Sequence, residues 1–146
     1  MAIDRQGTGL TIVRVALGIF FLFEGLNKYR WLMDTSILAG RFSRWLAETA
    51  AGSPSHWYLE HVAIPGTAVF ARLVPLGEIA AGVALIAGFW TSVAAFLAFV
   101  MVLNIHVASG ALFTYAMLTN GYGLPVLGGT LGLAFGGVRL PLSFRR

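Results

Sequence analysis

Residues 14–30 read RVALGIFFLFEGLNKYR. The run is apolar enough to sit in a bilayer, yet Arg14, Glu24 and Lys28 lie inside it or at its edge. At about 100° per residue, Arg14, Gly18, Phe21, Gly25 and Lys28 fall within roughly 80° of one another on a helix. One face therefore holds two glycines bracketed by two cations, and the other faces are Ile, Phe and Leu. An anchor in lipid does not need that face, so another part of the chain must meet it. Glu24 and Lys28 are four apart with the acid first, the favourable order for a helical ion pair. Arg14 and Lys28 share a stripe but not a depth. At 1.5 Å per residue they stand roughly 20 Å apart, at opposite interfaces.

The rest of the chain has the same character. Of its 146 residues 58% are hydrophobic and 11% charged, and its mean hydropathy is +0.79. A soluble domain draws about a quarter of its residues from Asp, Glu, Lys and Arg, so this composition marks a membrane protein. At about 20 residues per span there is room for four helices and one long loop. The expected fold is all-α: a single domain, 1–146, forming an integral membrane four-helix bundle. Its helices run over about 9–29, 67–89, 91–113 and 122–138, with an interfacial amphipathic helix over 36–52 between the first two. The N-terminal run has no small-residue cleavage pattern and reads as a retained span. The net charge of +4 comes from Lys and Arg scattered at the ends of apolar runs. That distribution suits positive-inside flanks and anionic lipid, not nucleic acid. Cysteine is absent, which excludes a thiol relay, an iron–sulfur cluster or a thiolate metal site built by this chain.

In the long loop, Leu38, Phe42, Trp45 and Thr49 follow helical spacing, with Arg41, Arg44 and Glu48 elsewhere around the helix. The Trp57–Tyr58 pair suits the headgroup belt. The loop reads equally as a surface cap tied to the bilayer or as a functional lid. The second span contains Arg72, Pro75, Glu78, Gly82 and Gly88. Glu78 is nearly three turns from the Gly88 end, at about 3.6 residues per turn. A charge at mid-bilayer costs about 2.5–3.5 kcal/mol, so Glu78 must be paired, hydrogen-bonded or protonated. The tight connection at Trp90 makes spans two and three antiparallel neighbours. In the third span Asn104 and His106 point about 160° apart and do not share one site on a straight helix. In the fourth, Gly128, Gly132 and Gly136 form a ridge that lets another backbone approach, within this chain or from a partner.

Two segments carry a family resemblance: RVALGIFFLFEGLNK at 14–28 and PGTAVFARLVPLGEIAAGVALIAGFWTSVAA at 65–95. They resemble the DoxX family of small four-helix membrane proteins, which includes the DoxD-like small subunit of thiosulfate:quinone oxidoreductase. The resemblance implies the R-x-x-x-G and G-x-x-K elements of Arg14, Gly18, Gly25 and Lys28. It also implies Pro65 entering helix 2 and the G-E-x-x-x-G element of Gly77, Glu78 and Gly82. The chain departs from the family pattern at Trp90-Thr91-Ser92 and at the Pro141-Leu142-Ser143 that follows Arg139. Membership implies the cytoplasmic membrane of a prokaryote and, for some members, quinone-linked oxidation with a redox partner. The termini are expected on the cytoplasmic side, although basic residues are tied at five on each side.

The candidate catalytic residues are Glu78, Lys28 and Glu24, and the candidate cofactor-binding residues are Arg14, Arg72 and His106. One reading is an ion-pair lattice that holds helices 1 and 2 in register. The other is a small polar pocket where Glu78 moves protons and Arg14 or Lys28 polarises a quinone carbonyl. The chain carries no cofactor motif of its own, and quinone is the small molecule the cluster suits. His106 reads as a packed residue or as an axial ligand lacking a second. His56 and His61, five apart, do not have the spacing of one helical face, and no metal is assigned. The expected partners are the bilayer and other membrane subunits, with the glycine ridge as a candidate contact. The leading function is the quinone-associated membrane subunit of an oxidoreductase whose redox cofactor sits on a partner. The competing one is a non-catalytic subunit of a larger assembly.

Overall fold

The computed structural model describes residues 4–138 and 140–143. Seven α-helices follow in order among them: α1 Arg5–Asn27, α2 Ser36–Glu48, α3 Pro54–Tyr58, α4 Thr67–Ala87, α5 Thr91–Ala108, α6 Tyr115–Thr119 and α7 Leu124–Gly136. A 3-10 turn, Tyr29–Leu32, follows α1, and a π-helical turn, Leu59–Ala63, extends α3. α1, α4, α5 and α7 form the bundle. At 1.5 Å per residue, α1, α4 and α5 are about 34, 31 and 27 Å long, enough for a hydrocarbon core of roughly 30 Å.

α1 begins before the expected residue 9 because the Asp4 carboxylate accepts a hydrogen bond from the Gly7 N–H at 3.0 Å, capping the helix. The fourth span is shorter than expected. α7 has 13 residues, about 20 Å, instead of the span over 122–138. The chain preceding it turns through Asn120–Gly123 after the separate α6. α5 stops at Ala108 instead of 113, and Gly110 takes a left-handed φ of +68°. α2 likewise ends at Glu48, short of 52. Arg139, Arg145 and Arg146, which enter the charge count for topology, lie outside the described residues.

α1 and α4 are antiparallel and touch backbone to backbone. A Cβ at Gly82 would stand 2.5 Å from the Leu22 nitrogen and 2.8 Å from the Gly18 oxygen; at Gly25 it would meet Pro75 O and Ile79 N at 2.8 Å. Only glycine permits that approach. This contact sets the register: Lys28 falls beside Glu78, and Arg14 falls beside Gly88, where α4 ends. The α4–α5 connection is as tight as expected, with Gly88 and Trp90 both left-handed at φ +69° and +45°.

One core lies between the bundle helices, around Phe21, Leu85, Ala95, Ala98 and Leu133. A second lies beyond the end of α1, where the first turns of α4 would otherwise be bare. There Trp31, Leu38, Phe42, Leu59 and Ala63, all from the long loop, pack on Ala71, Val74 and Ala108. The apolar face of α2 is thus spent on protein. Arg41 lies three residues after Leu38 and one before Phe42, hence on that same face, not elsewhere around the helix. The start of α2 is fastened by Asp34, whose carboxylate accepts from the Ser36 hydroxyl at 2.6 Å and the Ser36 N–H at 2.9 Å. Those bonds hold its carboxyl below the usual carboxylate range.

Large apolar side chains point outward from the bundle, among them Ile12, Phe23, Val69, Leu73, Phe96 and Leu97. In a bilayer they face the acyl chains, and they need no other explanation.

Candidate functional site

The bundle and its loop enclose a cavity of about 510 Å³. Glu24 and Lys28 reach it from the end of α1, Glu78 from the middle of α4, His106 from α5, and Arg41 from α2. Its remaining walls are largely aromatic, with Phe20, Trp31, Phe42, Trp45, Phe70 and Tyr122. Phe20 packs against Tyr122 with ring centroids 5.6 Å apart, and Phe42 against Trp45 at 5.9 Å. α2 and the turn before it form the roof.

Lys28 is the centre of the polar wall. Its Nζ donates to Glu24 Oε2 at 2.7 Å, to Glu78 Oε1 and Oε2 at 3.0 and 2.9 Å, and to the Glu24 carbonyl at 3.2 Å. The side chains of Lys28 and Glu78 are only 11% and 5% exposed. The expected i,i+4 pair is therefore present, and the carboxylate that needed a partner has one. An ammonium has three protons, and four acceptors already compete for them. Lys28 is in no position to offer a fresh donor to a ligand.

Arg41 is. Its guanidinium lies over the Trp31 ring, 5.1 Å from the centroid, borders the cavity, and has no hydrogen-bond acceptor among the described residues. Two cations thus balance two carboxylates around one cavity. Sequence reasoning missed Arg41, although the Leu38-x-x-Arg41-Phe42 spacing already placed it on the buried face.

His106 is buried, and its Nδ1 lies 2.8 Å from the Val102 carbonyl oxygen. A carbonyl only accepts, so Nδ1 carries the proton and Nε2 is an acceptor. Asn104 also borders this cavity, despite its angular distance from His106, because the space wraps around the end of α5. The Asn104 amide donates to the Tyr58 hydroxyl, tying α5 to α3.

Arg14 and Arg72 are not brought to this site. Arg72 is exposed and donates to the Ala68 carbonyl of its own helix at 2.7 Å. Arg14 is 1% exposed at the far end of α1, where Nη1 donates to Ser143 Oγ at 2.8 Å and Nη2 to the Leu142 carbonyl at 3.0 Å. It forms no ion pair among the described residues, and its Nε has no acceptor. It fastens the C-terminal segment across the α4–α5 turn. In the loop, His56 lies 3.5 Å from Glu60, and His61 stacks on Trp57.

A family model described as DoxX matches residues 9–111. No curated protein and no solved structure matches the chain.

Proposed function

The chain belongs to the DoxX family, and from that premise we propose that it is the quinone-associated membrane subunit of an oxidoreductase whose redox cofactor sits on a partner protein. The observation that carries this reading is the cavity: aromatic walls for a flat ring, with carboxylates, an imidazole and a guanidinium at its polar edge. Its volume lies within the 300–1,000 Å³ usual for small-molecule sites.

Quinone supplies two-electron, two-proton chemistry when bound. The chain's own part is to hold the ring and manage the protons. Arg41 would donate to one carbonyl oxygen, since its guanidinium borders the cavity and has no acceptor among the described residues. Glu24 and Glu78, sharing the Lys28 ammonium, are the groups able to hold and release a proton at their carboxyl oxygens. Glu24 is the more exposed of the two, at 26%, and forms the outlet. His106 Nε2 is a second proton acceptor, and α2 covers part of the cavity's mouth. The same reading places the chain in the cytoplasmic membrane of a prokaryote with its ends on the cytoplasmic side.

Purification in mild detergent with quinone extraction and mass measurement tests this. Wild type is expected to carry quinone and a redox partner, and Glu78→Gln to lose the quinone. A complex fully active after Glu78→Gln and Arg41→Gln overturns the reading. The second reading, a non-catalytic assembly subunit, is favoured by α7. Beyond its own helix, a Cβ at Gly128 or Gly132 would meet nothing within 4 Å among the described residues, which leaves part of the ridge for a partner's backbone; Gly136 is spent on Leu10.

A further inference from the structure

A second hollow, an apolar groove of about 550 Å³, runs between α4 and α5. It extends from Phe70, Val74 and Asn104 to Phe89 and Trp90 at the helical turn, about 22 Å of helix at 1.5 Å per residue. Its floor is made small by Gly77, Ala80 and Ala84 on one side and Ala94 and Ala98 on the other. Its rims, Leu73, Val93 and Leu97, are more than half exposed, so the groove opens sideways to lipid.

The groove adjoins the polar cavity. Phe70, Val74 and Asn104 line both. We propose that the groove holds the apolar tail of the same molecule whose ring occupies the cavity, with Phe70, Val74 and Asn104 as the threshold between them. The ligand class is thus an amphiphile: a carbonyl-bearing ring attached to one long acyl or isoprenoid chain. This inference rests on the quinone reading of the cavity.

The physical case is adjacency together with chemistry. A ring seated against Glu78 and Arg41 has only Phe70, Val74 and Asn104 between it and the groove, and an apolar substituent that passes them lies between α4 and α5. An apolar chain in lipid gains little by hydrophobic transfer, because the acyl chains around it are equally apolar. What holds the tail in the groove is packing against the small-residue floor and its covalent link to the seated ring, which raises its local concentration. Asn104 donates its amide N–H to Tyr58, which leaves its oxygen as the polar marker where ring gives way to tail. The groove is thereby also the lateral route from the bilayer to the cavity.

The test uses the full chain in phosphatidylcholine nanodiscs with two probes. One is a tailless dimethoxy-methyl-benzoquinone; the other carries a decyl tail ending in a diazirine. Photolabelling is expected on α4 between Gly77 and Ala84 and on α5 between Val93 and Met101. Excess tailless quinone should compete it away, and Ala80→Trp or Ala84→Phe should reduce it several-fold without changing tailless binding. Ala80 already faces outward, so its variant is expected to fold. Label on α1 or α7, with tailless binding still sensitive to Glu78→Gln, overturns the tail assignment and leaves the cavity reading standing. Groove labelling that persists in Glu78→Gln and resists competition shows a seam for any bilayer chain, and the inference falls. Failure of the tailless quinone to bind at all removes the cavity reading and this one with it.

Discussion

Replacing Lys28 by Met keeps the length of the side chain and removes the ammonium that touches both Glu24 and Glu78. Glu78, 5% exposed, would then face a second carboxylate across an apolar wall. Removing one partner of a buried ion pair costs about 3–5 kcal/mol, because the remaining charge has no compensation. The cavity lets some water reach Lys28, whose side chain is 11% exposed, so the low end, about 3 kcal/mol, applies. Glu24→Gln breaks only a partly exposed i,i+4 pair, a loss of about 0.5 kcal/mol. At roughly 2–4 °C per kcal/mol for a chain near this size, the two variants should melt about 6–12 °C and 1–2 °C below wild type. Lys28→Met combined with Glu78→Leu removes both charges and should recover most of the loss. Tryptophan fluorescence melts in one detergent at pH 7 provide the measurement. If Lys28→Met melts no lower than Glu24→Gln, or the double variant is as unstable as the sum of its parts, Lys28 does not compensate Glu78 as described.

Three further outcomes are expected elsewhere in the chain. Gly82→Val drives a side chain into the α1 backbone at Leu22 and Gly18; it should cost more than the usual 1–3 kcal/mol of overpacking, since backbone cannot step aside as a side chain can. The same substitution at Gly128, where the added Cβ meets nothing, should leave the melt of the isolated chain within about 0.5 kcal/mol of wild type. Arg14→Met should release the C-terminal segment by removing both its bonds to Leu142 and Ser143. Faster protease cleavage and amide exchange around residues 140–143, with the Glu78 end unaffected, is the expected signature; unchanged protection there would show that Arg14 does not fasten the tail.

Much of the α1–α4 relation was legible in residues 14–30 and 65–88. The glycines, the cation at each end and the lone carboxylate are local facts, and the cost of a charge in hydrocarbon makes a partner for Glu78 obligatory whichever partner it is. Hydropathy likewise located the first three spans. The fourth was set about two residues too long at each end, because hydropathy marks an apolar run and not where helical hydrogen bonding starts and stops; the helix is Leu124–Gly136. The expectation that Asn104 and His106 do not share one site is overturned, since both line the same cavity; their angle on α5 says nothing about how far a cavity extends around a helix.

By itself the sequence determined an all-helical membrane chain, an antiparallel pair of spans joined tightly at Trp90, and an acid–base pair at the end of the first helix. Those follow from spacing along one helix and from the free energy of single groups in a bilayer. Only the tertiary structure decided that Lys28 is saturated and Arg41 is the free donor, that the loop roofs a cavity, and that Arg14 serves the tail. Each depends on contacts between residues far apart in the chain, 50 positions for Lys28 with Glu78 and 128 for Arg14 with Leu142. Local periodicity carries no information about which distant surfaces the loop path brings together.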